Sequence, residues 1–415
     1  PVSPLRTNTL TVTLWQASCL PLSRAVHLNL SPSPHNPQEC RLAPRLTHGK
    51  IHIHYLQLSP LASLKHGFRA RDTISPGAEG SAGLYNGFED TYNRCFANPG
   101  RLMSECTTFS EWNALLSSIS AEQPVFHIGP EPASGTIDWS AAVEACLRSP
   151  IGARPVSQMA ESASDAVILV DDATRPTPQR KLLVPLLDTL ERSGLPAANI
   201  TVLIALGTHR YMTRSQIRER FGTSVARRVN VFNHTWRDPS CFTPLGSTAS
   251  GVPLSVNRLA VEADLIIGTG SIVPHIWAGW GGGAKIVLPG ISAADSIAPT
   301  HALAEHEDDL RRVSGRAENA CRQEIERAAR RAGLDLILNC VVDADGRPIW
   351  IGAGDPVEAH RAGVAIARQV FVRDVPRRAD IVLADARPAT KDYWQGIKAL
   401  APAARGVREG GAVVL

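Results

Sequence analysis

From about Pro124 onward the chain alternates short, wholly apolar runs with stretches of helical spacing, and before that point it does neither. Ala166–Val170 reads AVILV, Ile200–Leu206, Asp264–Ile267 and Ala379–Ala384 have a similar texture, and Val229–Phe232 and Leu336–Val342 also read as strands. Continuous apolar runs of this length predict strands buried on both faces of a parallel sheet. Between them lie amphipathic segments. Arg180–Ser193 repeats Leu183, Leu186, Leu187 and Leu190 at helical spacing and is stopped by Gly194. Trp139–Leu147, Tyr211–Phe221, Asp308–Ala332 and Pro356–Phe371 are the other predicted helices. A β-α-β alternation predicts an α/β fold with a Rossmann-like parallel sheet.

This texture divides the chain into an irregular, unassigned segment over residues 1–120, a Rossmann-like domain over 121–365, and the opening of a second, smaller α/β domain over 372–415. GGAVVL at the end predicts a strand just starting, so the second domain is expected to be cut short. The histidine scatter from His27 to His54 has no cysteine or carboxylate partners at metal-ligand spacing, and a solvated loop or strand is the expectation there.

Composition narrows the class. With 415 residues, 44% hydrophobic and 20% charged, the chain can bury a substantial core, and a net charge of +4 without a basic, aromatic-interleaved run does not point to nucleic acid. Eight cysteines contain no C-x-x-C pair, which fits a reduced cytoplasm, and the mildly apolar Leu10–Leu22, broken by Gln16 and Ser18, is not expected to be a signal peptide. Leu265–Ala284 lacks formal charge, but its six glycines at about 1 kcal/mol each and Pro274 at about 3 argue against a membrane helix.

Each polar motif follows a predicted strand, where open α/β sheets bind ligands. Asp172, Thr174 and Arg175 could serve a nucleotide's ribose and phosphate, or Asp172 could merely cap the next helix beside a surface Arg pair. His209 and His275 could be general bases, though a single loop histidine is more often structural. The glycine run before Lys285, including Gly282 and Gly283, could expose N–H groups to an anion, with the plain alternative a tight turn and a solvated lysine. His301, with Glu305, His306, Glu307 and Asp308 following, belongs to no recognisable metal motif.

Taken together, VDDATRPTP, ALGTHR, PHIWAGWGGGAK with Pro289-Gly290 after the lysine, His301, and WQGIK resemble the nickel-pincer-dependent lactate racemase family in order and spacing. The resemblance runs from about residue 140 to the end. It implies a cleft between two α/β domains holding nickel in a pyridinium-3,5-bisthiocarboxylic acid mononucleotide, attached to Lys285 as a thioamide, with His301 completing the coordination. A sulfur-rich planar site with one imidazole suits nickel. His209 and His275 match two catalytic acid/bases that handle a 2-hydroxy acid's hydroxyl proton while hydride moves from C2 to the cofactor and back. Asp172, Thr174 and Arg175 match a cofactor loop, and Gln395 and Lys398, with Arg175, match residues that reach the substrate. The implied partners are a small 2-hydroxy acid and, transiently, cofactor-biosynthesis proteins.

Trp394 stands where a tyrosine is expected and Gly281 where a serine is common, which bears on substrate identity. The irregular first 120 residues and the short second domain motivate a rival expectation: a catalytically inactive nucleotide-binding fragment of the same fold.

Overall fold

The computed structural model describes residues 10–13, 31–32, 40–41, 125–135, 137–305, 313–386 and 393–415. Its larger sheet has six strands in the order Pro348–Gly354, Leu336–Val342, Ile266–Ser271, Ala166–Asp171, Ile200–Ala205, Asn230–Asn233. All neighbours are parallel except the Pro348–Gly354 edge, which is antiparallel. The chain builds outward from Ala166–Asp171 in one direction, then returns to place Ile266–Ser271 on the other side. That reversal is a topological switch point, where the loops leaving two adjacent strands part and open a crevice.

The apolar runs are explained by cover on both faces. Ile168 and Val170 pack with Leu182, Leu183, Leu186, Leu187 and Leu190 of the Gln179–Arg192 helix, while Val167 and Leu169 face the Gly283–Ile286 turn and the Ala320–Arg331 helix. Each fully buried leucine contributes roughly 2 kcal/mol, so this helix is held chiefly by its apolar stripe.

Several expected elements shift or are joined by others. The helix expected from Tyr211 begins at Arg214, because Thr213 and Gln216 form a reciprocal capping box that sets its first turn. The charged helix is described over Ala320–Arg331, started by the Asn319 side chain accepting from Arg322 N; residues 306–312 lie outside the described part. Pro348–Gly354, the Phe242–Ser247/Pro253–Asn257 hairpin and the Ala294–Glu305 helix had no counterpart in the periodicity. Proline or glycine interrupts each pattern. The uncharged Leu265–Ala284 stretch is a strand, a tight hairpin and the start of a 3₁₀ turn, and among the described residues no helix is long and apolar enough to cross a membrane.

The smaller sheet runs Val407–Val414, Ala379–Ala384, Leu10–Thr13, Val125–Ile128, all parallel. It therefore draws strands from both ends of the chain, including one from the stretch where no element was expected. The Tyr393–Gly406 helix lies against it through Ala399, Leu400 and Ala403, and carries Gln395 and Lys398 to the larger sheet's crevice.

Candidate active site

The crevice is a cavity of about 740 Å³ at the switch point. Its first wall starts where Ala166–Asp171 ends. The consecutive carboxylates point to different partners, as alternation along a strand requires. Asp171 turns inward, accepting from Gln179 Nε2 at 2.9 Å, from the Thr177 hydroxyl and from Arg220. Burial raises its pKa, against the opposing pull of Arg220, Thr177 and Gln179. Arg220 also donates to the carbonyls of Asp171 and Arg175, at 3.1 and 3.3 Å, and so clips the loop that bears Arg175.

Asp172 faces the cavity. Its Oδ1 accepts Thr174 N at 3.0 Å and the Thr174 hydroxyl at 2.5 Å, and its Oδ2 lies 2.7 Å from His209 Nδ1. Asp172 is thus not a helix cap, since the helix starts only at Gln179. Burial opposes its ionisation, but the hydrogen bond from His209, then the Arg175 charge and the Thr174 hydroxyl, outweigh it and hold the carboxyl well below the usual range. His209 follows Ile200–Ala205, with its carbonyl fixed by Trp236 Nε1 at 3.0 Å. Its Nε2 lies 3.2 Å from Gln395 Nε2, and Lys398 Nζ donates to Gln395 Oε1. Because the amide nitrogen can only donate, His209 is assigned as the neutral tautomer, with its proton on Nδ1 and a lone pair at Nε2.

The second wall follows Ile266–Ser271. Pro274–His275 pairs with Gly279–Trp280, and Gly282 and Gly283, at φ of 71° and 61°, swing the chain into the Gly283–Ile286 turn that carries Lys285. A side chain at Gly279 would meet the Arg316 carbonyl at 1.9 Å, so only glycine closes this hairpin. Two of the N–H groups offered as an anion cradle are spent inside the protein: Gly281 N bonds Val273 O and Gly283 N bonds Asn339 Oδ1, both at 2.7 Å. Gly282 and Gly283 are also closely packed, a Cβ on either meeting Asn339 or His360 within 3 Å.

His275 is buried, and its Nδ1 accepts Trp277 N and Ala278 N at 3.3 and 3.2 Å. A neutral His275 therefore carries its proton on Nε2. Burial first, then cationic neighbours that include Lys398 and Arg175, drive its pKa well below 6.5. Lys285 has no hydrogen-bond or ion-pair partner among the described residues; burial, then Arg175, Lys398 and Arg322, push its ammonium well below the ordinary lysine range. His301 stacks on Trp277 at 4.7 Å, and burial with Lys285, Lys398 and His209 lowers its pKa to about 3, which leaves the imidazole in its metal-ligating form.

The cofactor, metal and acid/base candidates line this one cavity: Asp172, Thr174, Arg175 and His209 on one wall, His275, Gly282, Gly283, Lys285 and His301 on the other, with Gln395 and Lys398 brought in by the Tyr393–Gly406 helix. The side chains of Glu305, His306, Glu307, Asp308 and Trp394 lie outside the described residues. Among those described, no three histidine, cysteine, aspartate or glutamate side chains converge as a metal site. A metal held at His301 would draw its remaining donors from a bound group.

The supporting residues were not singled out in the sequence. Arg322 is fully buried, donating to the carbonyls of Ala278 at 3.3 Å, Gly282 at 3.4 Å and Trp280, with burial lowering its pKa to about 10. His360 Nε2 meets the Gly281 carbonyl at 2.9 Å. Arg322 shares a helical stripe with Ile325 and Ala329, and Asn339 is the one polar residue of LILNCVV; both signals were present.

A Rossmann-like sheet whose switch-point crevice gathers three imidazoles, two lysines and two arginines has the architecture of a ligand-binding α/β domain. Residues 113–311 match the family model described as the lactate racemase N-terminal domain. Lactate racemases of Thermoanaerobacterium thermosaccharolyticum and Lactiplantibacillus plantarum are 30% identical over 275 residues and 31% identical over 276, in each case 66% of this chain and 64% of the relative's length. The lactate racemase apoprotein structure from T. thermosaccharolyticum superposes with a TM-score of 0.62 at 30% identity, covering 68% of both chains. A Thermotoga maritima protein shares the fold at 23% identity, with a TM-score of 0.51 over 60% of this chain and 64% of its own. The chain belongs to the lactate racemase family.

Proposed function

We propose that this chain racemises lactate or a closely related 2-hydroxy acid, using a nickel-pincer nucleotide attached at Lys285 and ligated by His301 after delivery by cofactor-biosynthesis proteins. The observation that carries this reading is the convergence of His209 and His275 with Lys285 and His301 on one cavity. The donor set fits such a group: a deprotonation-prone amine with no partner among the described residues, for covalent attachment, and a single neutral imidazole for a metal whose other donors come with the cofactor. Asp172, Thr174 and Arg175 offer polar contacts to its ribose and phosphate. When bound, the group supplies the acceptor and donor for the C2 hydride.

The protein's own contribution is binding and proton handling. Arg175, Lys398 and Gln395 suit a carboxylate, two by charge and one by its amide. His209, with its proton held on Nδ1 by Asp172, presents the Nε2 lone pair that takes the hydroxyl proton. His275 presents Nε2–H, which donates a hydrogen bond to the substrate oxygen while the proton stays on the ring. For His275 to act in turn as a base, the Trp277 and Ala278 N–H groups must withdraw from Nδ1. The two histidines therefore start a turnover in complementary states.

The test is chiral analysis of product from each lactate enantiomer with the nickel- and cofactor-loaded chain. Conversion is expected from both, with His209→Ala and His275→Ala each losing about 10²–10⁴-fold in both directions. Retained configuration throughout lactate, malate and longer 2-hydroxy acids, with loading verified by intact mass, would end the proposal.

A further inference from the structure

Lys285 has a second chemistry open to it whenever no cofactor occupies it. It projects from a turn fixed by Gly283 N on Asn339, lines a cavity large enough for a small acid, and has no partner among the described residues. Arg175 and Lys398 line the same cavity, and Arg322 lies behind the turn. A half-buried lysine in a cavity lined by other cations is the setting in which an amine becomes a carbonyl nucleophile at neutral pH. The neighbouring cations that disfavour its charged form also suit a carboxylate beside the carbonyl.

We propose that the cofactor-free chain reversibly captures small 2-oxo acids as an imine on Lys285, their carboxylate held by Arg175 and Lys398. This rests on reading Lys285 as the reactive amine of the site. The Nζ lone pair adds to C2 of the oxo acid while the carbonyl oxygen takes a proton, giving a carbinolamine. Loss of that hydroxyl as water leaves the C=N bond, and hydrolysis restores both reactants. No oxidant or reductant is consumed. The consequence is regulatory: a 2-oxo acid and the cofactor compete for one nitrogen, so the oxidised counterpart of the substrate delays loading.

The experiment uses the full chain without cofactor, pyruvate as probe and sodium cyanoborohydride to reduce the imine to a stable secondary amine, followed by intact mass and peptide mapping. One reduced adduct on Lys285 is expected at pH 7, formed about a hundredfold faster than on any surface lysine, since an ordinary lysine is almost wholly protonated there. Acetone, which lacks the carboxylate, is expected to label Lys285 at least about tenfold more slowly, and Arg175→Ala or Lys398→Ala to remove most of that preference. Mapping on the unaltered chain makes the result independent of whether Lys285→Ala folds. Labelling spread evenly over surface lysines, or acetone reacting at Lys285 as fast as pyruvate, overturns the proposal. A chain that racemises lactate once loaded but traps no pyruvate when unloaded overturns this inference alone; one that traps pyruvate but never racemises leaves it standing and removes the racemase reading.

Discussion

The two walls of the cavity present the same residue type by opposite means. On the first, His209 is backed by a side-chain carboxylate, Asp172, which holds a proton on Nδ1 and leaves Nε2 open. On the second, His275 is backed by the N–H groups of Trp277 and Ala278, which occupy Nδ1 and put the proton on Nε2. A carboxylate stabilises an imidazolium, whereas peptide N–H donors oppose one. The difference teaches that the proton state of a paired histidine is set one shell away, and that the first wall is tuned by charge while the second is tuned by backbone geometry.

The largest effect should come from breaking the charged side. Asp172→Asn preserves shape but offers an amide in place of an acceptor-only carboxylate, so the Nδ1 proton is no longer favoured and the Thr174 contacts are disturbed. A loss of about 10³–10⁴-fold in kcat is expected, as when an equivalent carboxylate–histidine pair is broken elsewhere. The stability of the fold should change far less. The check is steady-state racemisation from both enantiomers beside a denaturation curve; a kcat within a few-fold of the parent would mean that His209 does not depend on Asp172. Since Asp172 is held well below the usual carboxylate range, it stays ionised through mildly acidic pH and contributes no acid limb there.

The same contrast explains what could be read from the sequence. The central parallel strands were legible because burial on both faces demands apolar runs, the half-exposed edge strand Asn230–Asn233 only through Val231 and Phe232, and the first wall because its polar residues sit immediately after those runs. Lys285, His275 and His301 were legible through a family motif, since spacing alone left a solvated lysine equally acceptable. The supports of the second wall were not read. Arg322 and Glu324 lie in a run of charges that resembles a solvated face, yet both are fully buried, Arg322 on carbonyls and Glu324 on Thr248, Ser250 and Arg327. Edge strand Pro348–Gly354 escaped because a sheet edge needs no full apolar pattern. That His275 meets N–H groups through Nδ1 depends on the fold of a four-residue turn, which no residue pattern encodes.

Breaking the backbone-tuned wall should cost stability first. Arg322→Met keeps the bulk but leaves the Ala278, Trp280 and Gly282 carbonyls without this donor, and removes a buried cation whose charge bears on Lys285. A loss of about 3–5 kcal/mol is expected from urea denaturation, the usual scale for removing one partner of a buried charged network. Arg322→Lys should recover little of it, because a point charge cannot span three carbonyls. A variant as stable as the parent would show that the glycine turn holds itself.

The smallest effect concerns His234, which joins the two walls. Its Nε2 meets Ser292 O at 3.3 Å beyond the glycine turn, its Nδ1 meets Asn257 Nδ2 at 3.0 Å, and its own segment leads to Trp236 beneath His209. Asn257 Nδ2 can only donate, so His234 is neutral with its proton on Nε2, and burial lowers its pKa to about 4. The sign follows from the unfolded value of about 6.5. Above that pH neither state binds the proton. As pH falls through 6.5 the unfolded chain takes it up and the folded chain does not, so stability is lost until the folded histidine titrates near 4. The expected contribution is about 2–3 kcal/mol between pH 7 and pH 4.5. His234→Gln keeps a donor for the Ser292 carbonyl but does not titrate, and the other buried histidines are common to both proteins. Subtracting the two stability-against-pH curves therefore isolates this one proton. A difference curve that rises towards low pH, as the variant loses less stability than the parent, is the expected result; parallel curves would mean that the walls are not joined through a neutral His234.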